Sequence, residues 1–160
     1  MVSVAEASSI VFNHLFKPAV ESVPFYLAVN RVLAENIVAD RDFPPFDRVS
    51  MDGIAIAFAS WKEGRREFIL EGTQPAGMPQ TFLVDRERCF EVMTGAVLPK
   101  STDTVIRYED IEIKDGSARI LLDEVLQGQN IHGKGNDASA GSILLEPGVL
   151  LSPAEIALLA

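Results

Sequence analysis

Among the stretches that place an oxygen-bearing side chain beside glycine, three could do chemistry. In Met51-Asp52-Gly53, the glycine lets the backbone turn sharply and lets a ligand come close, so Asp52 projects from a rigid base. The competing reading is a turn aspartate bonded to its own backbone. Met93-Thr94-Gly95-Ala96 closes an apolar run at a glycine. A hydroxyl and a bare amide at a strand end suit a phosphate or oxyanion, although a plain strand end fits the same residues. Gly133-Lys134-Gly135-Asn136-Asp137-Ala138 has the G-x-G-x-x-A form of a dinucleotide fingerprint, with Glu155 about 20 residues on. That match fails on context, because Ser139-Ala140-Gly141 breaks any following helix and too little chain remains for a βαβ sheet. Glu109-Asp110 offers two oxygen ligands suited to Mg2+, but neighbours on a strand point to opposite faces. His14 reads as a helix-surface residue, His132 as a loop residue within reach of a ligand, and Cys89 as an inert core thiol.

Composition narrows the classes. The chain has 160 residues, 14 basic and 23 acidic, for a net charge of −9. With no Lys/Arg run, a nucleic-acid footprint is excluded, and a polyanionic substrate would need a few placed cations, backbone amides or a metal ion. One cysteine rules out an intrachain disulfide and a Cys-rich zinc site. No signal-peptide pattern and no apolar run near 18 residues occurs, so the expectation is a soluble cytoplasmic protein without membrane contact.

The elements that must position these residues follow from local patterns. Residues 3–16 read as a helix, capped by Ser3 and Glu6 and ended by Pro18. Val23–Leu27 reads as an edge strand, Ala28–Leu33 as a turn with Asn30 in the left-handed region, and Asn36–Ala39 as extended. Asp42-Phe43-Pro44-Pro45-Phe46-Asp47 reads as a stiff extended linker, with a domain boundary near residue 40. Short strands follow at Ile54–Phe58, Glu67–Glu71, Cys89–Thr94, Thr104–Tyr108, Ile111–Ile113 and Ala118–Leu122. Asp115-Gly116 makes a type I′ hairpin of the last two, and Gln74–Pro79 is a loop. Ser142–Leu151 reads as strand, turn and strand around Pro147-Gly148. Ser152, Pro153 and Glu155 start a short C-terminal helix, whose apolar side needs a cover; the 3–16 helix is the nearest candidate. The fold class is α+β, mainly β: a discontinuous helix-and-strand base with an inserted small, barrel-like β-rich domain.

The order of the motifs resembles one family. Asp42-Phe43-Pro44-Pro45-Phe46-Asp47, Ser50-Met51-Asp52-Gly53-Ile54-Ala55, Met93-Thr94-Gly95-Ala96 with Pro99, Gln129-Asn130-Ile131 with Gly135-Asn136-Asp137 and Gly141, and the closing Leu151-Ser152-Pro153-Ala154-Glu155-Ile156 together resemble the N-terminal region of MoeA-type molybdopterin molybdotransferases, the family that includes gephyrin. The resemblance implies the last step of molybdenum-cofactor synthesis: a transferase inserts molybdate into adenylylated molybdopterin and releases AMP, assisted by Mg2+. It implies a homodimer, with residues 1–39 and 139–160 as the discontinuous dimerising base and residues 40–138 as the inserted β-rich domain. The family's nucleotide-binding domain, with its T-G-D-E-L and S-G-G-type segments, is absent from this chain, so the chain reads as an N-terminal part that is inactive alone.

Residue by residue, the resemblance implies Asp52, Thr94 and Asp137 as catalytic; residue chemistry then assigns Asp52 and Asp137 to Mg2+ or its waters near phosphate, and Thr94 to a hydrogen bond donated to the ligand. Gly53, Gly95 and Gly135 are the implied substrate-binding glycines. The chain departs from the family text in several places. Arg48-Val49-Ser50 replaces N-S-A, Ile54 replaces a tyrosine, and Gly135-Asn136-Asp137 replaces G-E-D; Val105-Ile106-Arg107-Tyr108-Glu109 lies where V-M-Q-E is frequent. The alternative is a non-catalytic binding or dimerisation module that kept the fold and lost the chemistry; the changed residues favour it, and the retained Asp52, Thr94 and Asp137 oppose it.

Overall fold

The computed structural model describes residues 2–16 and 18–160, which divide into two compact units. One contains the described residues up to Ile37 together with Leu144–Ala160; the other runs from Val38 to Ile143.

In the first unit, α1 (Val4–Asn13) starts where the sequence places it. The Ser3 hydroxyl accepts the Glu6 N–H, and the Ser3 N–H donates to Glu6 Oε2 at 2.8 Å. The helix ends at His14, before Pro18, and buries none of its residues. The expected edge strand at Val23–Leu27 does not form. Phe25–Leu27 is a 3-10 turn instead, closed by bonds from the Leu27 N–H to the Pro24 carbonyl (2.9 Å) and from the Ala28 N–H to the Phe25 carbonyl (3.0 Å). Pro24 has no N–H for a ladder, and its φ of −56° is already set for a turn. Asn30 has φ 64°, as expected. The two flanks of Pro147-Gly148 do not pair with each other as a hairpin would. Val149 and Leu151 instead bond the 30–33 segment, for example from the Asn30 N–H to the Leu151 carbonyl at 2.8 Å. The final helix, α3 (Pro153–Leu159), has the full Ser152/Glu155 capping box and packs chiefly on the Phe25–Leu27 turn rather than on α1.

The second unit holds the sheet. In chain order the strands are β1 (Ile37–Val38), β2 (Arg48–Val49), β3 (Gly53–Ile56), β4 (Glu67–Gln74), β5 (Arg88–Val92), β6 (Thr104–Arg107), β7 (Ile111–Lys114), β8 (Ser117–Ile120), β9 (Ile131–His132) and β10 (Ile143–Leu145); β2 to β9 lie wholly in this unit, with α2 (Phe58–Lys62) between β3 and β4. Six of them form one sheet in the order β6-β3-β5-β4-β8-β7, and β2 pairs with β9. The mainly-β reading holds. The central strands are buried on both faces: Ile54, Ile56, Phe68, Cys89 and Ile106 on one, Ala55, Phe90, Val92 and Val105 on the other. Asp115 and Gly116 join β7 to β8 with φ values of 49° and 79°, the positive pair that a type I′ turn requires.

Three local departures have non-local causes. The strand expected to run to Phe58 stops at Ile56, because the Phe58 N–H is capped by Asp103 Oδ1 at 2.6 Å and starts α2. Tyr108 leaves its strand for a 3-10 turn, Tyr108–Asp110. β4 extends to Gln74 and pairs in parallel with β5, so residues 75–87 form a crossover without a helix. The buried Gln74 side chain organises that crossover: Oε1 accepts the Thr81 N–H at 2.8 Å, and Nε2 donates to the Pro79 carbonyl at 3.1 Å. The Asp42–Asp47 stretch is more than a linker. Phe43 exchanges bonds with Ala138 and Asp137, and the Gly135 N–H reaches the Pro44 carbonyl at 2.9 Å. The ends of this unit also meet, with the Ala39 N–H on the Ser142 carbonyl and the Gly141 N–H on the Ala39 carbonyl, both 2.9 Å.

Cys89 is fully buried, and burial, reinforced by the Glu91 charge, pushes its thiol up to about 12. At pH 8 the native chain is therefore expected to resist iodoacetamide and to be labelled only as fast as it unfolds. Rapid stoichiometric labelling under native conditions, read by mass, would contradict this burial.

Candidate functional site

Asp52 sits on the exposed bend between β2 and β3, and its position depends on Gly53. A Cβ on Gly53 would lie 1.8 Å from the Ile106 carbonyl oxygen, so only glycine lets β3 lie this close to β6. The Asp52 carbonyl accepts the Tyr108 N–H at 3.1 Å, which fixes the bend from the β6 side. Thr94 lies in the turn after β5. There Gly95, with φ 87°, turns its N–H onto the Val49 carbonyl at 2.8 Å, and the Ala96 N–H bonds the Met93 carbonyl at 3.0 Å.

These two turns meet. The Thr94 backbone N–H and the Thr94 hydroxyl both donate to Asp52 Oδ1, each at 2.7 Å. The Thr94 N–H, followed by its hydroxyl, holds the Asp52 carboxyl below the ordinary aspartate range. Asp52 is thus ionised at neutral pH and accepts only. The single hydroxyl proton of Thr94 goes to Asp52, so lone pairs, not a proton, are left facing outward. Asp52 Oδ2 has no protein partner among the described residues.

A second set of groups stands behind the first. The Tyr108 hydroxyl donates to Glu91 Oε1 at 2.5 Å, and the Thr73 hydroxyl donates to Glu91 Oε2 at 3.0 Å. Burial, then the bond to Glu91, its charge and that of Asp52, raise the Tyr108 phenol, which stays neutral. None of these three residues was a candidate from the sequence. The pairings Gly53↔Arg107, Ile54↔Glu91 and Thr73↔Glu91 bring them together, and no local motif records such pairings.

Asp137 belongs to a different cluster. His132, opposite Arg48 on the β2–β9 pair, approaches Asp137 Oδ1 with Nε2 at 2.7 Å. Nearby, Asp42 accepts the Ala140 N–H at 2.8 Å and lies 3.4 Å from Lys134 Nζ, and the Ala140 N–H is the main cause that lowers its carboxyl. Gly135, with φ 73°, faces Asp42 itself. Asp52 and Asp137 share no hydrogen-bond partner, and among the described residues no group of three or more His, Cys, Asp or Glu is placed to hold a metal ion. Asp110 is paired with Arg107 at 2.8 Å rather than turned toward Glu109. His14 is exposed, and its ring Nδ1 lies 2.8 Å from the Ile10 carbonyl of its own helix. No helix among the described residues is long and apolar enough to cross a membrane.

A single oxygen-only carboxylate with one unpartnered oxygen suits Mg2+, which keeps several waters and uses one or two carboxylates beside substrate phosphates. Asp52 supplies one such ligand oxygen, and the remaining ligands would have to come from water or substrate.

Comparison with known proteins places this architecture. Residues 2–160 match the family model described as MoeA N-terminal region (domain I and II). The chain is 44% identical over 147 residues to a molybdopterin molybdenumtransferase of Synechocystis sp., covering 91% of this chain and 38% of that protein. It is 29% identical over 161 residues to one of Haemophilus influenzae, covering 100% of this chain and 40% of that protein. The crystal structure of a molybdopterin biosynthesis moeA protein from Pyrococcus horikoshii superposes with a TM-score of 0.82 at 30% identity, over 99% of this chain and 41% of that one. The chain thus spans about two fifths of the length of these relatives.

Proposed function

We propose, on the premise that this chain belongs to the MoeA N-terminal region family, that it forms the N-terminal part of an enzyme inserting molybdate into adenylylated molybdopterin with release of AMP. The observation that carries this reading is the Asp52–Thr94 pair, an ionised carboxylate locked in one orientation by two donors from a second turn.

In this reading Thr94 is the residue that aims Asp52. Its N–H and hydroxyl hold Oδ1, and Oδ2 points away to take a cation or a cation-bound water. Mg2+, when bound, would neutralise the charge that gathers on phosphate as the adenylyl group departs. Asp137 offers a second carboxylate, with Oδ2 available while His132 occupies Oδ1. Gly53 and Gly95 keep both turns free of side chains where a ligand approaches.

The test is molybdenum insertion by a full-length protein that carries these residues, beside the 160-residue chain alone. The full-length protein is expected to release AMP and form cofactor. The chain alone is expected to stay below about 1% of that rate, a barrier difference of about 2.7 kcal/mol. Absence of AMP release from the full-length protein, with adenylylated molybdopterin and molybdate supplied, would refute the reading.

The same proposal includes a cytoplasmic homodimer that associates through residues 1–39 and 139–160. Its support is apolar surface: α1 buries nothing, and Val11, Phe12 and Leu158 are 60%, 71% and 53% exposed. The net charge of −9 opposes association and is screened beyond about 8 Å at 0.15 M salt, so the dimer should strengthen with salt. Sedimentation should show it weakening in Phe12→Ser and Leu158→Ser. A monomer of 17.4 kDa at high protein and salt concentration would count against it.

A further inference from the structure

Four of the nine arginines, Arg65, Arg66, Arg86 and Arg119, line one open cleft of about 490 Å³ beside α2, β4 and β8. That volume falls within the range of small-molecule sites, roughly 300–1,000 Å³. Such a concentration of guanidinium groups is notable in a chain of net charge −9.

Two of the four are already matched. Arg65 faces Glu87 at 2.5 Å, and Arg86 faces Glu63 at 3.0 Å. Arg66 is held without a carboxylate. Its guanidinium carbon lies 3.5 Å from the centre of the Trp61 ring, and Nη1 donates to the carbonyls of Trp61 (3.0 Å) and Arg65 (3.1 Å). One ring face and one nitrogen are thereby used, and Nε and Nη2 have no acceptor among the described residues. Such a stacked, pre-oriented fork loses little freedom when it binds an oxyanion. Arg119 forms no ion pair among the described residues, although Glu67 on β4 and Glu112 on β7 are its cross-strand neighbours. Of these two acids, only Glu67 lines the cleft. Ser60, also in the lining, is buried, and its hydroxyl donates to the Arg86 carbonyl at 2.7 Å, which ties α2 to the 86–87 segment.

We propose that this cleft binds the phosphoryl group of a small phosphorylated ligand, with Arg66 and Arg119 as its two forks. A phosphoryl group carries a charge of about −1.5 to −2 and three acceptor oxygens, which matches two guanidinium groups. A lone carboxylate would need only one. The cleft shares no residue with the Asp52–Thr94 pair or the Asp137 cluster, so the inference does not depend on the proposed enzymatic reading.

The experiment is calorimetric titration of the 160-residue chain with pyrophosphate at low salt, with malonate as the carboxylate arm. Saturable pyrophosphate binding is expected, with a dissociation constant of about 1 mM or tighter. Arg119→Gln should weaken it about ten-fold, and Glu67→Gln, which removes the unpaired acid, should tighten it several-fold. Arg66→Gln should also weaken it; because it loses the Trp61 contact, its thermal melt is recorded beside the titration, and Arg119→Gln carries the test if that variant does not fold. Lack of saturation, equal affinity for malonate, or pyrophosphate affinity unchanged in Arg119→Gln would each overturn the proposal.

Discussion

Asp52→Asn, placed in a full-length protein that carries this chain, is expected to cut molybdenum insertion about 100-fold or more, the scale of losing one oriented electrostatic group. The melting temperature at pH 7 should fall only slightly, by the contribution of the exposed charge. Asparagine keeps Oδ1, which can still accept the Thr94 N–H and hydroxyl, so the two turns stay joined. What changes is Oδ2, replaced by a donor that repels a cation. The variant therefore separates charge from architecture. Steady-state rates at several Mg2+ concentrations, beside a melt, distinguish the outcomes; an unchanged rate with a lowered melting temperature would make Asp52 a fold residue only. The pH dependence has a defined sign. The folded state holds the Asp52 carboxyl below its ordinary value, so its contribution to stability is present above the unfolded value and is lost as pH falls through the folded one. Asp52→Asn should remove that acid-side loss.

Gly53→Ala should act on the fold itself. The added methyl would be placed 1.8 Å from the Ile106 carbonyl oxygen, which is backbone and cannot rotate away. The β3–β6 ladder, with Gly53 opposite Arg107 and Ile54 opposite Ile106, must part to admit it. A cost of about 3 kcal/mol or more is expected, among the larger values for a single substitution. For a chain of this size that corresponds to a fall of roughly 10 °C in melting temperature. Activity should fall with it, because Asp52 is carried by the displaced bend. A melting temperature within about 2 °C of the parent would show that the close approach of β3 and β6 is not needed.

The sequence made legible what is encoded within a few residues. The capping boxes at Ser3–Glu6 and Ser152–Glu155 and the Asp115-Gly116 hairpin depend on neighbours three or fewer positions apart, and they lie where the pattern places them. What it hid depends on distant partners. Phe58 begins a helix because Asp103 caps it from 45 positions away, and Tyr108 bonds Glu91 from the far side of β3, across two strand pairings. Val23–Leu27 shows the opposite failure: an apolar run suggested a strand, while Pro24 had already determined a turn. At the site, the motifs around Asp52 and Thr94 each mark one residue. Their union across 42 positions, and the direction of the hydroxyl proton, came only with the folded geometry.

The bonds between Ala39 and the Gly141–Ser142 pair have a consequence for how such a chain tolerates its interruption. A long flexible excursion would oblige the host segment to close a large loop, at an entropic cost that grows with its length. An excursion whose two ends are stitched together at 2.9 Å behaves, for the host, like a turn of a few residues. The inserted unit can then change its own length, loops or surface charge without altering what the host must pay to fold. It is, in effect, a cassette: a part whose sequence can drift or be exchanged while its sockets stay fixed.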